Sequence, residues 1–262
     1  MGRYWRVLRT YFRLGVLGEL EYRANFWVQL LESALGLVVA LGGLSVVFTH
    51  TDSLAGWLPE HLLALVGIHM TVGGLINLII SPSLQRFMQD VRRGTLDFAL
   101  VKPVDAQFIV SVQQVQLWKI VDVLLGIGVW LTALTRLGTK VGLLQAAAFG
   151  LAFVAGLIIV YSFWMILATI AFWAVRVENV FEIFNALFVA GRWPVNLYPQ
   201  WLRLVLTFIV PVAFAVTVPA QALIGRLSFQ ALAGAVGLAL FLLTVSRVFW
   251  QFGVRHYSGA SA

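Results

Sequence analysis

The chain contains no cysteine and few charged residues. Of its 262 residues, 11% are charged and 61% are hydrophobic, whereas soluble domains carry about a quarter charged residues. The absence of cysteine excludes disulfides and thiolate chemistry. The shortage of charge leaves too little polar surface to cover a globule in water. Because several apolar runs exceed the roughly 18 residues that mark a membrane helix, the sequence predicts an all-α, polytopic membrane protein.

The sequence also lacks the common motifs of enzymatic chemistry. It has no G-x-x-x-x-G-K-[ST] phosphate loop, no H-E-x-x-H and no G-x-S-x-G. The histidines at positions 50, 61, 69 and 256 are too scattered for a metal site. We therefore expect no catalytic residue, no metal site and no cofactor in this chain.

The net charge of +7 would indicate nucleic acid in a soluble chain. In an apolar chain it is better explained by cytoplasmic loops that face anionic lipid headgroups. We therefore expect membrane lipids, and no nucleic acid, among the binding partners.

Six spans are predicted within one transmembrane domain over residues 1–262. They cover residues 24–48, 57–80, 113–135, 143–174, 177–190 and 229–252. At roughly 1.5 Å per residue the long spans can cross a core about 30 Å thick. The fifth is too short to cross alone.

Residues 1–23 are predicted to form an interfacial elbow helix. Arg6, Arg9 and Arg13 recur at three- and four-residue steps and therefore share one helix face. Aromatic residues, including Trp5 and Phe12, fall on the other face. A helix with this division lies in the headgroup plane of a membrane.

The lysines and arginines predict the orientation of the chain. If the N-terminus is cytoplasmic, the basic residues on the outer side are Arg136, Lys140, Arg192, Arg203 and Arg226, and the others of the 18 lie inside. The positive-inside rule therefore places both termini in the cytoplasm.

The segment 192–226 is unusually rich in proline. Pro194, Pro199, Pro211 and Pro219 make a single straight helix unfavourable. We predict a pair of short helices that enter the outer leaflet and return, a re-entrant hairpin before the last helix. The alternative is a proline-kinked seventh span.

Several polar residues fall inside the predicted spans, namely Glu32, His69, Asn77, Lys119 and Asp122. Ionisable groups at such positions are functional candidates. Lys119 and Asp122 lie three residues apart and can neutralise each other. They and Glu32 either line a polar cavity near the inner leaflet or lie at the interface, and the sequence leaves both open. The spacing of His69 and Asn77 favours helix packing over a ligand site.

A charged connection over residues 81–106 interrupts the apolar sequence. Ser81-Pro82-Ser83 is typical of a helix start, Gly94 of a helix end, and Pro103 of a second stop. Its candidate contact residues are Arg86, Arg92, Arg93, Gly94, Leu96, Asp97, Lys102 and Pro103. We expect a stiff helical knob that faces water and docks on a partner. A shorter connection with mixed charge covers residues 176–182.

The run from Arg92 to Asp97, followed by Lys102-Pro103-Val104, resembles the cytoplasmic signature of ABC-2 type transporter permeases. The basic N-terminal elbow, the six spans and the proline-rich outer segment extend the resemblance over most of the chain. The resemblance implies the transmembrane subunit of an ATP-driven exporter, a multi-pass protein of the bacterial plasma membrane (the cell inner membrane).

The same resemblance implies the partners. Two permease chains, as a homodimer or a heterodimer, would pair with separate ATPase subunits that bind ATP and Mg²⁺. Residues 81–106 would be the coupling loop seated on the ATPase, and the elbow would flank it. The substrate would be lipid-like, a glycan or an amphipathic drug-like molecule.

The alternative function is an ion-coupled secondary transporter. Such carriers are built from inverted repeats with charged, unwound helices near the midplane. The sequence shows no repeat, and only Glu32 favours this alternative.

Overall fold

A computed structural model describes residues 2–20, 23–138, 142–174 and 178–257. Within these ranges the chain is helical and contains no strand. The helices are α1 (Gly2–Leu20), α2 (Arg23–Phe48), α3 (Pro59–Leu75), α4 (Ser81–Arg93), α5 (Asp97–Leu100), α6 (Ala106–Val112), α7 (Ile120–Leu137), α8 (Leu143–Thr169), α9 (Glu178–Val189), α10 (Gln200–Leu204), α11 (Val218–Leu223) and α12 (Phe229–Arg255). Residues 176 and 177 of the shorter connection predicted over 176–182, Lys140 of the predicted outer side, and residues 1, 21 and 22 of the predicted elbow lie outside the described residues.

Among the described residues, five helical stretches are long and apolar enough to cross a membrane. They are Phe26–Phe48, Pro59–Arg93, Leu117–Leu137, Leu143–Phe172 and Phe229–Arg255. A sixth span exists only if Gln200–Ile209 and Ala213–Leu223, which meet at a bend of 80°, are counted as one broken span. Helix α9 has 12 residues, which rise about 18 Å, so the predicted fifth span is too short to cross, as expected. The bent pair lies within the segment predicted as a re-entrant hairpin.

The second apolar helix does not end at Ser81. Helices α3 and α4 are joined by the wide turn Ile76–Ile80 into one continuous helix from Pro59 to Arg93, so the predicted helix start at Pro82 was wrong. Proline lacks an N–H and its ring clashes with the carbonyl four residues before it. The wide turn makes room for the ring, and the freed carbonyl of Leu78 accepts a hydrogen bond of 2.8 Å from the N–H of Gln116.

The same arrangement recurs at two other prolines. Wide helical turns occupy Val205–Ile209 and Ala213–Thr217, and each is followed two residues later by a proline, Pro211 and Pro219. Turns with i→i+5 bonds are rare and mark places where the regular ladder is interrupted. The prolines therefore widen these helices locally, and a break follows only at Val210–Val212.

The third predicted span begins later than the sequence indicated. It was predicted to start at Gln113, but α7 starts at Ile120, after a single turn over Leu117–Lys119. The backbone of Gln114 and Gln116 pairs instead with α4 and with the wide turn before it. The Ser83 hydroxyl donates to the carbonyl of Gln114 (2.7 Å) and accepts from its N–H (3.1 Å). These tertiary hydrogen bonds take the place of helical ones.

Helices α3 and α7 approach each other closely at glycines. A Cβ atom on Gly67 would lie 2.5 Å from the backbone nitrogen of Trp130, and one on Gly126 would lie 2.6 Å from that of Thr71. Small residues permit such contacts between membrane helices. The backbones of α3 and α7 are therefore in close contact at these glycines.

Aromatic side chains join α4, α12 and the single turn Ile170–Phe172 that follows α8. Phe87 of α4 is fully buried, with its ring centroid 5.0 Å from that of Trp250 and 5.5 Å from that of Phe172. Trp164 of α8 is also fully buried, against Phe181 of α9. The first half of the predicted coupling loop is therefore part of the core and not a free loop.

Candidate functional site

The exposed part of the charged connection begins at Gly94. This residue has φ +69° and ends α4, in the left-handed conformation that glycine adopts without strain. The N–H of Thr95 donates to the carbonyl of Asp90 (2.9 Å), and the Asp90 carboxylate binds Nε of Arg86 at 3.1 Å. The chain is thereby turned sharply at a fixed place after the rigid α4.

The tip of the connection presents apolar side chains to the outside. Phe98 is 72% exposed and Val101 is 79% exposed, whereas Leu96 and Ala99 are buried. The predicted contact residues Arg92, Arg93, Lys102 and Pro103 are exposed around them, and Asp97 is half-buried. We call Phe98, Val101 and these exposed residues the tip. The sequence prediction missed Phe98 and Val101, although their three-residue spacing on one helix face was visible.

The N-terminal helix packs beside this connection. The Tyr4 ring meets that of Phe108 in α6 edge to face, with centroids 5.2 Å apart, and Lys102 Nζ donates to the Tyr11 hydroxyl at 2.7 Å. The predicted elbow residues Arg6, Arg9 and Arg13 are exposed. The elbow helix and the connection therefore form one continuous surface.

All five predicted intramembrane polar residues line a single cavity of about 400 Å³. It lies between α2, α3, the start of α7 and α9, and we call it the polar groove. Its polar lining comprises Glu32, Ser33, His69, Asn77, Lys119, Asp122, Asn185 and Arg192. Asn185 and Arg192 were not predicted as members. Arg192 had been assigned to the outer side, and no local signal placed it in the same cavity as Lys119.

Only some of the polar groups in the groove are satisfied by neighbours. Lys119 Nζ lies 3.6 Å from an Asp122 carboxylate oxygen, and Nε2 of the buried His69 donates to the carbonyl of Phe188 at 3.0 Å. His69 thus links α3 to α9 and also borders the cavity. Within the described part of the chain, no hydrogen bond or ion pair holds the side chains of Glu32, Asn77, Asn185 and Arg192.

A second cavity, of about 660 Å³, lies on another side of α2. Its lining from α2, α3 and α7 is mostly aliphatic, with Glu60 and Arg136 among its few charged residues. Helix α2 itself is largely exposed, with apolar side chains such as Trp27 and Val38 facing outward. A polar cavity and an apolar cavity therefore flank the same loosely packed helix.

These features define a class before any comparison is made. Several long apolar helices, with a charged and partly exposed segment after one of them, are features of a multi-pass membrane protein. A family model described as "ABC-2 family transporter protein" matches residues 34–261. The chain belongs to this family, as the sequence resemblance predicted.

Membership of the family has two further consequences. Its members are ABC permeases, membrane transport subunits that are generally not catalytic, and the family implies association with ABC ATPase subunits. No curated protein and no solved structure matches the chain.

Proposed function

We propose that this chain is the permease subunit of an ATP-driven exporter and that its tip docks on a separate ATPase subunit in the cytoplasm. The observation that carries the proposal is the tip itself. Two large apolar side chains, Phe98 and Val101, are more than two-thirds exposed. They follow the long helix Pro59–Arg93, whose last part is packed in the core through Phe87. An exposed apolar centre with a charged rim is the usual composition of a protein interface.

The position of the tip suits the transmission of motion. The connection begins where a 35-residue helix ends, and the last part of that helix packs in the core through Phe87. Closure of ATPase subunits on the tip would therefore move a rigid helix and not a flexible loop. Rigid-body rotation of packed helices is a common form of switching.

The polar groove supports an amphipathic substrate. Unsatisfied polar groups are costly in hydrocarbon, so Glu32 and Arg192 favour an occupant with polar groups of its own. Two acidic and two basic side chains line the groove, so it carries no formal net charge. A lipid-like, glycan-bearing or drug-like amphiphile with a polar part of mixed charge matches this lining.

The docking proposal is tested by co-purification from the native membrane. Phe98→Ser removes most of the apolar centre of the tip and should release the ATPase subunit. Charge reversal at Asp97, or Pro103→Ala, should weaken the complex to a smaller degree. The matched control is Phe229→Ser. Phe229 is 83% exposed, but it is the first residue of α12, at the end of that helix predicted to face the outside.

Two results would contradict the proposal. One is ATPase co-purification that is equal for Phe98→Ser and Phe229→Ser, together with unaltered transport. The other is transport that survives ATP depletion and collapses with an uncoupler, which would select an ion-coupled carrier.

A further inference from the structure

A forked ion pair joins the charged connection to the last helix. Arg247 Nη1 lies 3.0 Å from one carboxylate oxygen of Asp105 and Nη2 lies 2.5 Å from the other. The same Nη1 donates to the side-chain oxygen of Gln107 at 2.8 Å. Asp105 and Arg247 are 142 residues apart in the chain. A planar guanidinium that meets a carboxylate in this way fixes direction as well as distance.

The acidic end of the pair is held in place by its own helix. Asp105 is the N-cap of α6, and its carboxylate accepts the N–H of Phe108 at 3.1 Å. At the other end of α6 the hydroxyl of Ser111 shares a hydrogen bond of 2.8 Å with that of Tyr161 in α8. Helix α6 is therefore tied to both α8 and α12.

The link continues to the helix that carries the tip. The side-chain amide of Gln113 donates to the carbonyl of Ser83 at 3.3 Å, and the Ser83 hydroxyl bonds the backbone of Gln114. A displacement of the connection would thus reach both ends of α6, through Asp105 at its start and through Gln113 and Gln114 after its end. The only ion pair that any described residue of α12 makes is the one with Asp105.

The partial exposure of the pair makes a purely stabilising role a weak explanation. The Arg247 side chain is 42% exposed and that of Asp105 is 31% exposed. Solvent screens an ion pair with this degree of exposure, so its contribution to stability is modest even in bidentate geometry. The pair does supply a directional contact between the charged connection, which would touch the ATPase, and the long helix α12.

We infer that Asp105 and Arg247 form the link through which a displacement of the connection is passed to α12. The inference rests on the proposed function, because it needs the ATPase as the source of the displacement. Neither residue belongs to the tip. Both are positioning residues whose loss should separate ATP hydrolysis from helix movement.

The absence of cysteine gives a direct readout. Spin labels on Thr135→Cys and Phe229→Cys would report the distance between the outer ends of α7 and α12 in the reconstituted permease–ATPase complex. Both positions are exposed and remote from the ion pair. The variants are Arg247→Gln, and Asp105→Ser, which keeps an N-cap side chain but is too short to reach Arg247. Arg255→Gln is the matched control, because it removes the same charge from the same helix.

We expect ATP to change the distance in the wild-type complex and in Arg255→Gln. In Arg247→Gln and in Asp105→Ser the change should be lost while ATPase binding and hydrolysis persist. Arg247→Lys should retain part of the distance change. The double variant that combines Arg247→Gln with Asp105→Ser should lose no more of the distance change than either single variant.

Retention of the full distance change in Arg247→Gln overturns the inference. A wild-type complex that hydrolyses ATP without any change in the spin-label distance also overturns the inference, although the proposed function then stands. A chain that purifies without an ATPase subunit would overturn both.

Discussion

Gly126→Ala should destabilise the protein, because α3 and α7 have no room for a methyl group at this position. The added Cβ would lie 2.5 Å from Thr71 Oγ1, 2.6 Å from the Thr71 nitrogen and 2.7 Å from the Gly67 carbonyl oxygen, whereas ordinary contact begins near 3.4 Å. Two of these atoms belong to the backbone of α3, so side-chain rotation cannot relieve the overlap. The helices must separate by roughly 0.8 Å, which loses packing along the whole contact.

The expected magnitude follows from two opposing effects. Overpacking of a tight contact costs about 1–3 kcal/mol, and replacing glycine by alanine inside a helix returns about 0.5–1 kcal/mol. The net loss is about 0.5–2 kcal/mol. At roughly 2–4 °C per kcal/mol for a chain of this size, the melting temperature should fall by roughly 1–8 °C.

Gly128→Ala is the matched control on the same helix. No atom lies within 4 Å of a Cβ at Gly128, so only the gain in helix propensity remains and the melting temperature should rise slightly. Thermal unfolding in detergent, followed by fluorescence of the ten tryptophans, measures both variants. If Gly126→Ala melts at or above Gly128→Ala, the close approach of α3 and α7 is refuted.

Three further predictions concern individual side chains. Ser83→Ala should lower stability by about 1–3 kcal/mol, because the fully buried hydroxyl serves the backbone of Gln114; an unchanged melting temperature would contradict this pairing. Arg192→Gln and Asn185→Ala should reduce substrate-stimulated ATP hydrolysis and leave basal hydrolysis unchanged; equal stimulation would exclude the groove. The difference in melting temperature between the wild type and Arg247→Gln should be constant from about pH 5 to about pH 8. A decline of this difference within that range would contradict the lowered pKa of Asp105.

The pH prediction rests on the environment of Asp105. Burial raises the pKa of this carboxyl, but the hydrogen bond from Arg247, those from the N–H groups of Phe108 and Gln107, and the charge of Arg247 together lower it below the usual 3.8. A lowered folded-state pKa contributes stability that is present above 3.8 and is lost only as the pH falls through the folded value. The ion pair is therefore intact throughout the physiological range.

The sequence was informative where local pattern decides the structure. Apolar runs located the long helices, and the polar residues within the predicted spans line one groove. The turn at Gly94 was also visible, because a helix that ends in the left-handed conformation favours glycine. In each case the signal lies within a few residues of the feature.

Where tertiary contacts override local preference, the sequence was misleading. Pro82 looked like a helix start, but a wide turn and the N–H of Gln116 accommodate it inside a continuous helix. Gln113 looked helical, but the backbone that follows it bonds to Ser83. Asp105 and Arg247 could not be paired in advance, because no local pattern connects residues so far apart.

The most direct test of the account is a cross-link from the tip to the ATPase subunit. Val101→Cys would be the only thiol in the chain, and a thiol-to-amine cross-linker would be applied to the native complex. Leu144→Cys is the control, because Leu144 is 86% exposed at the predicted outer end of α8. The account predicts a cross-linked permease–ATPase product from position 101 and none from position 144. Labelling of Val101→Cys by a membrane-impermeant thiol reagent added to intact cells would contradict it.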